Sequence, residues 1–284
     1  MPRLAQFAQT GTHWIGMGLD LLFPPHCVLC RREMDFNEDR YPRFCLPCLR
    51  RLETPHATYC ARCGAVNHQS IAVTAQAASG TATQEEQERC WECVKKQLAF
   101  TRVVPWGVYR GALRDAVVRM KYPAGRNLAA AWAPLLGERI RIAFGDPAAA
   151  RGAGPPKPET GSIFPDALTC IPKTWLRKFG GATNSAETVM NGVARELDRP
   201  AYADMLRYIR RTQKQSLLGI EQRWKNVRGA LAVRPGFDLR GTHILVIDDI
   251  MTTGATANEA ARALRAAGAA RVTIAVVGRA AARQ

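Results

Sequence analysis

"HILVIDDIMTTGATANEAARALRAAG", residues 243–268, carries two adjacent carboxylates and a Thr-Thr-Gly-Ala-Thr loop between an apolar run and a helical pattern. HILVID reads as an apolar strand. Ala255 to Ala267 repeats small apolar residues at helical spacing, and Gly268 supplies the stop signal. In an open parallel sheet, ligands bind at the carboxyl ends of strands. There Asp248 and Asp249 are expected to close the strand, and the Thr252–Thr256 loop leads into a helix N-terminus. Backbone N–H groups and the helix dipole at such a turn suit a phosphate, and Gly254 lets the backbone come close. The carboxylates can accept sugar hydroxyls or hold Mg²⁺ through water. A ribose bearing a 5′-phosphate satisfies both halves. The loop lacks the Gly-Lys-Thr/Ser end of a Walker loop and the three-glycine dinucleotide fingerprint.

Outward from that stretch the second half alternates strands with helices. RVVPWGVYRG predicts a strand or hairpin. ALRDAVVRMKY and NLAAAWAPLLGERIRIAF predict helices, DALTCIP a short buried strand, and RVTIAVVG a final strand. NSAETVMNGVARELD predicts a helix with Asn184 or Ser185 at its start and Glu187 in its first turn. Strands alternating with helices imply an α/β fold with a parallel sheet and right-handed crossovers. RYIRRTQKQSLLGIEQRWKNVRGAL admits three readings: a hood over the sugar site, a groove for a nucleic-acid backbone with Trp224 available for stacking, or an amphipathic helix with Leu217, Leu218, Ile220 and Trp224 turned inward.

The first third is organised by cysteine. Eight of the nine cysteines form four Cys-x-x-Cys pairs: Cys27 and Cys30, Cys45 and Cys48, Cys60 and Cys63, Cys90 and Cys93. A two-residue gap lets both thiolates of a knuckle face one metal, and two knuckles complete a tetrahedral zinc shell. Two structural Zn²⁺ ions are therefore expected, paired first with second and third with fourth because that closes the shorter loops. His26 and His68 lie near enough to substitute but are not needed. Four protein ligands leave no open position, so the zinc serves folding rather than chemistry. Cys170, alone in ALTCIP, fits a small buried core residue.

Lys and Arg outnumber Asp and Glu by 40 to 24 in the 284 residues, a formal net charge of +16, which points to an anionic partner. No apolar run reaches the ~18 residues of a membrane span. The first 27 residues lack a secretory signal pattern. A cytoplasmic protein is expected, with no transmembrane segment. The expected organisation is an amphipathic segment at 1–24, docked on the protein or touching a membrane surface, then a zinc module at 25–98 and an α/β domain at 99–284. NHQSIAVTAQAASGTATQEEQE (67–88) and GDPAAARGAGPPKPETGS (145–162) look like poorly ordered insertions.

ILVIDDIMTTGAT resembles the phosphoribosyl-diphosphate signature of type I phosphoribosyltransferases. Together with LLFPPHCVLC and its four cysteine pairs, GVYRGALRDAVVRMKY and QKQSLLGIEQRWKNVRGAL, it makes nearly the whole chain similar to the ComF family of competence-associated phosphoribosyltransferase-like proteins. That resemblance implies a type I phosphoribosyltransferase fold behind a double zinc ribbon, and phosphoribosyl diphosphate bound with Mg²⁺. It assigns the 5′-phosphate to Thr252, Thr253, Gly254, Ala255 and Thr256, and ribose and metal-associated contacts to Asp248 and Asp249. It further implies a role in uptake and processing of single-stranded DNA, with a helicase-type competence protein as a partner.

One segment departs from the family, which usually carries an R…RGFNQ stretch after the proline of the preceding strand. In IPKTWLRKFGGATNS, Asn184 and Arg177 match, but the Arg-Gly-Phe positions fall on Gly181, Ala182 and Thr183. The guanidinium lost there would have offered a bidentate contact that Gly cannot replace. Lys173, Arg177 and Lys178 are candidates for the diphosphate, or form a solvated basic turn. Two functional classes follow from these residues: a transferase, or a non-catalytic adaptor that keeps a sugar-phosphate pocket and binds DNA or a helicase through its zinc module and basic surface.

Overall fold

A computed structural model describes residues 24–34, 43–54, 57–66, 70–72, 88–145, 164–173, 184–213 and 218–281. The N-terminal segment to residue 23, Arg177, Lys178, the Gly181–Ala182–Thr183 departure and the 146–162 part of the second insertion lie outside them. The chain divides into two compact units, Met1–Arg51 and Leu52–Gln284, so each contains one of the two expected cysteine sets.

In chain order the elements are α1 (Leu46–Leu52), β1 (Ser70–Ala72), β2 (Glu88–Cys90), β3 (Arg102–Val108), α2 (Gly111–Arg119), a 3₁₀ turn (Pro123–Gly125), α3 (Arg126–Ala143), β4 (Ala167–Cys170), α4 (Ser185–Leu197), β5 (Leu206–Tyr208), α5 (Ile220–Val227), β6 (Leu231–Val233), β7 (His243–Met251), α6 (Ala255–Ala266) and β8 (Arg271–Arg279). The ends of the first expected insertion are structured: β1 pairs antiparallel with β2, Ser70 opposite Cys90. Apolar composition was a poor guide there because backbone pairing needs no large side chains.

The core sheet runs β3-β8-β7-β4, every pairing parallel. Its central strands are covered on both faces, which is why His243–Ile247 is buried at every position despite the period-two alternation of side chains. His243 tolerates this because its Nε2 lies 2.9 Å from the Thr273 hydroxyl and its ring meets Phe144 edge-on. On one side, α3 and α4 pack closely enough that a Cβ at Gly192 would sit 2.4 Å from that of Ala133. Trp106 of β3 and Trp132 of α3 meet edge to face at 4.8 Å beneath them. On the other side, α6 and the antiparallel pair β5–β6 close over Ile244, Val246, Val272 and Ile274. No helix among the described residues is long and apolar enough to cross a membrane.

Two local expectations are corrected. The acidic pair does not end its strand: β7 continues to Met251, and Asp248 and Met251 hold register with Val276 and Arg279 of β8. Asn184 occupies the cap position of α4 without a capping hydrogen bond, its amide instead donating to Glu187 Oε2 at 3.1 Å.

Candidate functional site

The parallel order brings the carboxyl ends of β3, β4 and β7 to one edge, and the acidic pair lies there. Asp248 and Asp249 start from opposite faces of the strand, yet their carboxyl groups remain near enough to act on one another. Asp249 turns toward α4, where its Oδ2 accepts the Ser185 hydroxyl at 3.1 Å and meets Lys121 Nζ at 3.2 Å. Asp248 Oδ1 accepts the Asp249 backbone N–H at 2.8 Å. The two carboxyl groups form a set of hard oxygens of the kind that suits sugar hydroxyls or a hydrated divalent cation such as Mg²⁺.

Burial, and then the neighbouring Asp249 charge, hold the Asp248 carboxyl well above the usual carboxylate range. Its neutral form is the one the fold favours, so this group's stabilisation is full at low pH and lost as pH rises through the folded value. Asp248→Asn should therefore melt at a higher temperature than the parent at pH 7, with the gap narrowing toward pH 4. Thermal melts between those pH values check this; a lower melting temperature for the variant throughout would show that the carboxylate is not strained.

Beyond β7 the chain turns through Thr252 and Thr253 into Gly254, which caps α6 in the left-handed region at φ +81°. The first helical bond runs from Asn258 N–H to the Gly254 carbonyl at 2.8 Å. The Ala255 N–H donates to Thr253 Oγ1 at 3.3 Å, a weak bond that a bound anion can replace. Thr252 is exposed, Thr253 and Thr256 are half-buried, and Gly254 and Ala255 are buried. Lys173 follows β4, half-buried at the same edge as the strand ends.

Two basic side chains not singled out in the sequence reach this site. Lys121, in the turn after α2, meets Asp249 across 128 residues of chain; nothing local in RMKY marks it. Arg223 of α5 donates to the Thr252 hydroxyl at 3.2 Å and to the Leu218 carbonyl at 2.9 Å, so it faces the loop from the opposite wall. The basic segment around it is otherwise engaged in its own structure. Arg210 donates to the carbonyls of Asn226 and Arg228 at 3.0 and 2.5 Å, satisfying groups at the end of α5, and Asn226 bonds both backbone groups of Gln213. Leu218 and Trp224 are half-buried, Ile220 is exposed, and Val227 is the buried residue of α5, so among the described residues the expected inward set is only partly realised; Leu217 lies outside them.

The cysteines gather as the two sets Cys27, Cys30, Cys45, Cys48 and Cys60, Cys63, Cys90, Cys93, sulfurs within 4.8 Å of one another in each. The sulfur separations are 3.7 Å for Cys30 to Cys45, and 3.9, 3.5 and 3.8 Å for Cys60–Cys93, Cys63–Cys90 and Cys90–Cys93. Four sulfurs about 2.3 Å from one Zn²⁺ stand about 3.8 Å apart, whereas a disulfide needs about 2.05 Å. The geometry fits tetrahedral zinc without His26, and His68 lies outside the described residues. Cys170 is fully buried, its thiol pushed up to about 12 by burial first and then by Glu187 and Asp248, an inert core residue.

Comparison with known proteins agrees with both halves. Residues 18–94 match the double zinc ribbon domain family and residues 181–284 the phosphoribosyl transferase domain family. The chain is 24% identical to DNA utilization protein YhgH of Salmonella typhimurium, over 82% of this chain and 95% of that one. It is 23% identical to the Escherichia coli K12 protein of the same name, over 89% and 96%. Competence protein F of Haemophilus influenzae is 22% identical over 85% and 91%. With a cysteine-built ribbon before a parallel sheet whose strand β7 carries an acidic pair ahead of a glycine-capped loop, the chain joins a double zinc ribbon to a phosphoribosyl transferase domain and is similar over most of its length to DNA utilization protein YhgH and competence protein F.

Proposed function

We propose that the protein binds phosphoribosyl diphosphate at the end of β7 and acts as a phosphoribosyltransferase in DNA uptake or the use of single-stranded DNA. The observation that carries this is the juxtaposition of Asp248 and Asp249 with a glycine-capped loop entering α6. In this reading the loop from Thr252 to Thr256 takes the 5′-phosphate, with its backbone N–H groups and threonine hydroxyls donating. Asp248 and Asp249 hold the ribose hydroxyls and orient the sugar. Mg²⁺, when bound, neutralises charge on the diphosphate as it leaves. Lys173 and Arg177 are assigned to the diphosphate, and Arg223 completes the wall beside Thr252. The acceptor attacks C1 of the ribose as the C1–O bond to diphosphate breaks; positioning and charge stabilisation supply the rate enhancement. Lys121 occupies Asp249 until the substrate enters.

The DNA role rests on the names of the relatives and on the +16 charge, which suits a polyanion. A helicase-type competence protein is the proposed protein partner. Four-thiolate zinc sets require reduced cysteines, which supports a cytoplasmic location in this reading.

A second reading is favoured by Gly181, Ala182 and Thr183 standing where the family carries Arg-Gly-Phe. It makes the protein a non-catalytic adaptor that senses phosphoribosyl diphosphate. Calorimetry with phosphoribosyl diphosphate and Mg²⁺, followed by a diphosphate-release assay over candidate bases, separates the two. Binding with release supports the transferase, binding without release supports the adaptor, and no binding overturns both.

A further inference from the structure

Arg279 ends β8 and is only 4% exposed, although nothing in the reaction outlined above uses it. Its guanidinium joins two parts of the domain. On one side Nη1 donates to the carbonyls of Thr252, Met251 (3.4 Å) and Ala280 (2.7 Å). On the other, Nε donates to the Cys63 carbonyl at 3.3 Å and Nη2 lies 3.6 Å from Glu92 Oε2. Cys63 closes one knuckle of the second cysteine set and Glu92 lies between Cys90 and Cys93 of the other. The same set is seated against the sheet by the bond from Val103 N–H to the Ala61 carbonyl at 3.0 Å.

The geometry has a direct effect on the loop. A trans peptide is planar, with C=O and N–H pointing opposite ways. Fixing the Thr252 carbonyl against Arg279 therefore turns the Thr253 N–H away from it, toward the side where an anion can approach. A rigid fork of donors is suited to this, and a lysine could hold only part of it. Four thiolates around one Zn²⁺ leave a net negative charge, which together with Glu92 favours the buried cation.

We propose that Arg279 is a positioning residue for the phosphate loop and that it couples the loop to the second cysteine set, so that metal held by Cys60, Cys63, Cys90 and Cys93 keeps the loop amides aimed for an anion. The functional part rests on the phosphoribosyl diphosphate site proposed above; the coupling does not.

The test uses the full chain with Arg279→Met, Arg279→Lys and Glu92→Gln. Zinc content, thermal melting, amide hydrogen exchange of the segment 250–256 and calorimetry with phosphoribosyl diphosphate and Mg²⁺ are measured on each. Loss of charge-assisted bonds in Arg279→Met should speed loop exchange and weaken binding by about ten- to a hundredfold, with two zinc ions retained. Arg279→Lys should recover part of both, and Glu92→Gln should move both in the same direction by less. Removing zinc with a chelator should speed loop exchange in the parent protein and have little further effect in Arg279→Met. Unchanged loop exchange in a folded, zinc-loaded Arg279→Met overturns the proposal. If that variant does not fold, unchanged exchange in both Arg279→Lys and Glu92→Gln overturns it. If the parent protein binds no phosphoribosyl diphosphate, the proposed function falls and the exchange data still decide the coupling.

Discussion

Stripping zinc at neutral pH should release about two ions per chain and unfold both cysteine-built segments. The expectation follows from what their cores contain. In the first, the buried cluster is Cys27, Met34, Cys45 and Cys48 with Leu29 packed against it. In the second it is Cys60, Cys63, Ala65, Cys90 and Cys93 with Leu98. A buried Met or Leu is worth about 1.5–3 kcal/mol, whereas structural zinc in small finger peptides contributes about 10–16 kcal/mol. The metal is the larger effect by a wide margin. Acid should act in the same direction, because the ligands must be thiolates and protonation expels the ion. Elemental analysis with a zinc-sensitive dye, together with circular dichroism during chelation, checks this. Intact zinc-free protein with an unchanged melt, or mapped disulfides within the two sets, would overturn it.

Gly254→Val should abolish phosphoribosyl diphosphate binding while leaving the domain folded. Gly254 has φ +81°, where a β-branched residue is strained by about 1–3 kcal/mol, and its Cβ would meet Met251 Cε at 2.7 Å. Met251 can yield because its end is flexible, so the larger effect is on the backbone, which must leave the left-handed region and swing the first amides of α6 off the phosphate. Affinity should fall by more than about a hundredfold, since a displacement of about 1 Å at such a site has that effect. The melting temperature should drop by only about 2–10 °C in a unit of this size. Gly254→Ala should lie between parent and variant. Unchanged affinity in folded Gly254→Val would remove the loop as the phosphate site.

The sequence by itself determined the parts whose signal is local. An apolar run, two carboxylates, a threonine-glycine turn and a helical repeat are contiguous, so the strand–loop–helix unit at 243–268 and its suitability for an anion follow from chain order and backbone chemistry. Cys-x-x-Cys spacing is equally local, because the two-residue gap sets where both sulfurs point. The shorter-loop preference also anticipated the two sulfur sets. Strand alternation did not reveal that β7 passes beyond the acidic pair, since its extension is held by backbone pairing with β8, to which polar residues are no obstacle.

Tertiary structure decided which distant groups complete the site. Lys121 and Ser185 reach Asp249, and Arg223 reaches Thr252, only because the parallel order brings helix ends to one edge of the sheet. Ser185 carried the sequence signal of a helix cap, yet Asn184 holds the cap position and Ser185 is the first helical residue, its hydroxyl donating to the carboxylate across the sheet edge. Arg279 is separated from Cys63 by 216 residues, and in sequence it is one more arginine in a basic chain. Its role depends on the register that sets Met251 beside it and on the burial that makes every one of its donors seek a partner. Side-chain partners so far apart along the chain leave no periodicity or spacing to read, because the contact is created by packing rather than by the local conformation of either segment.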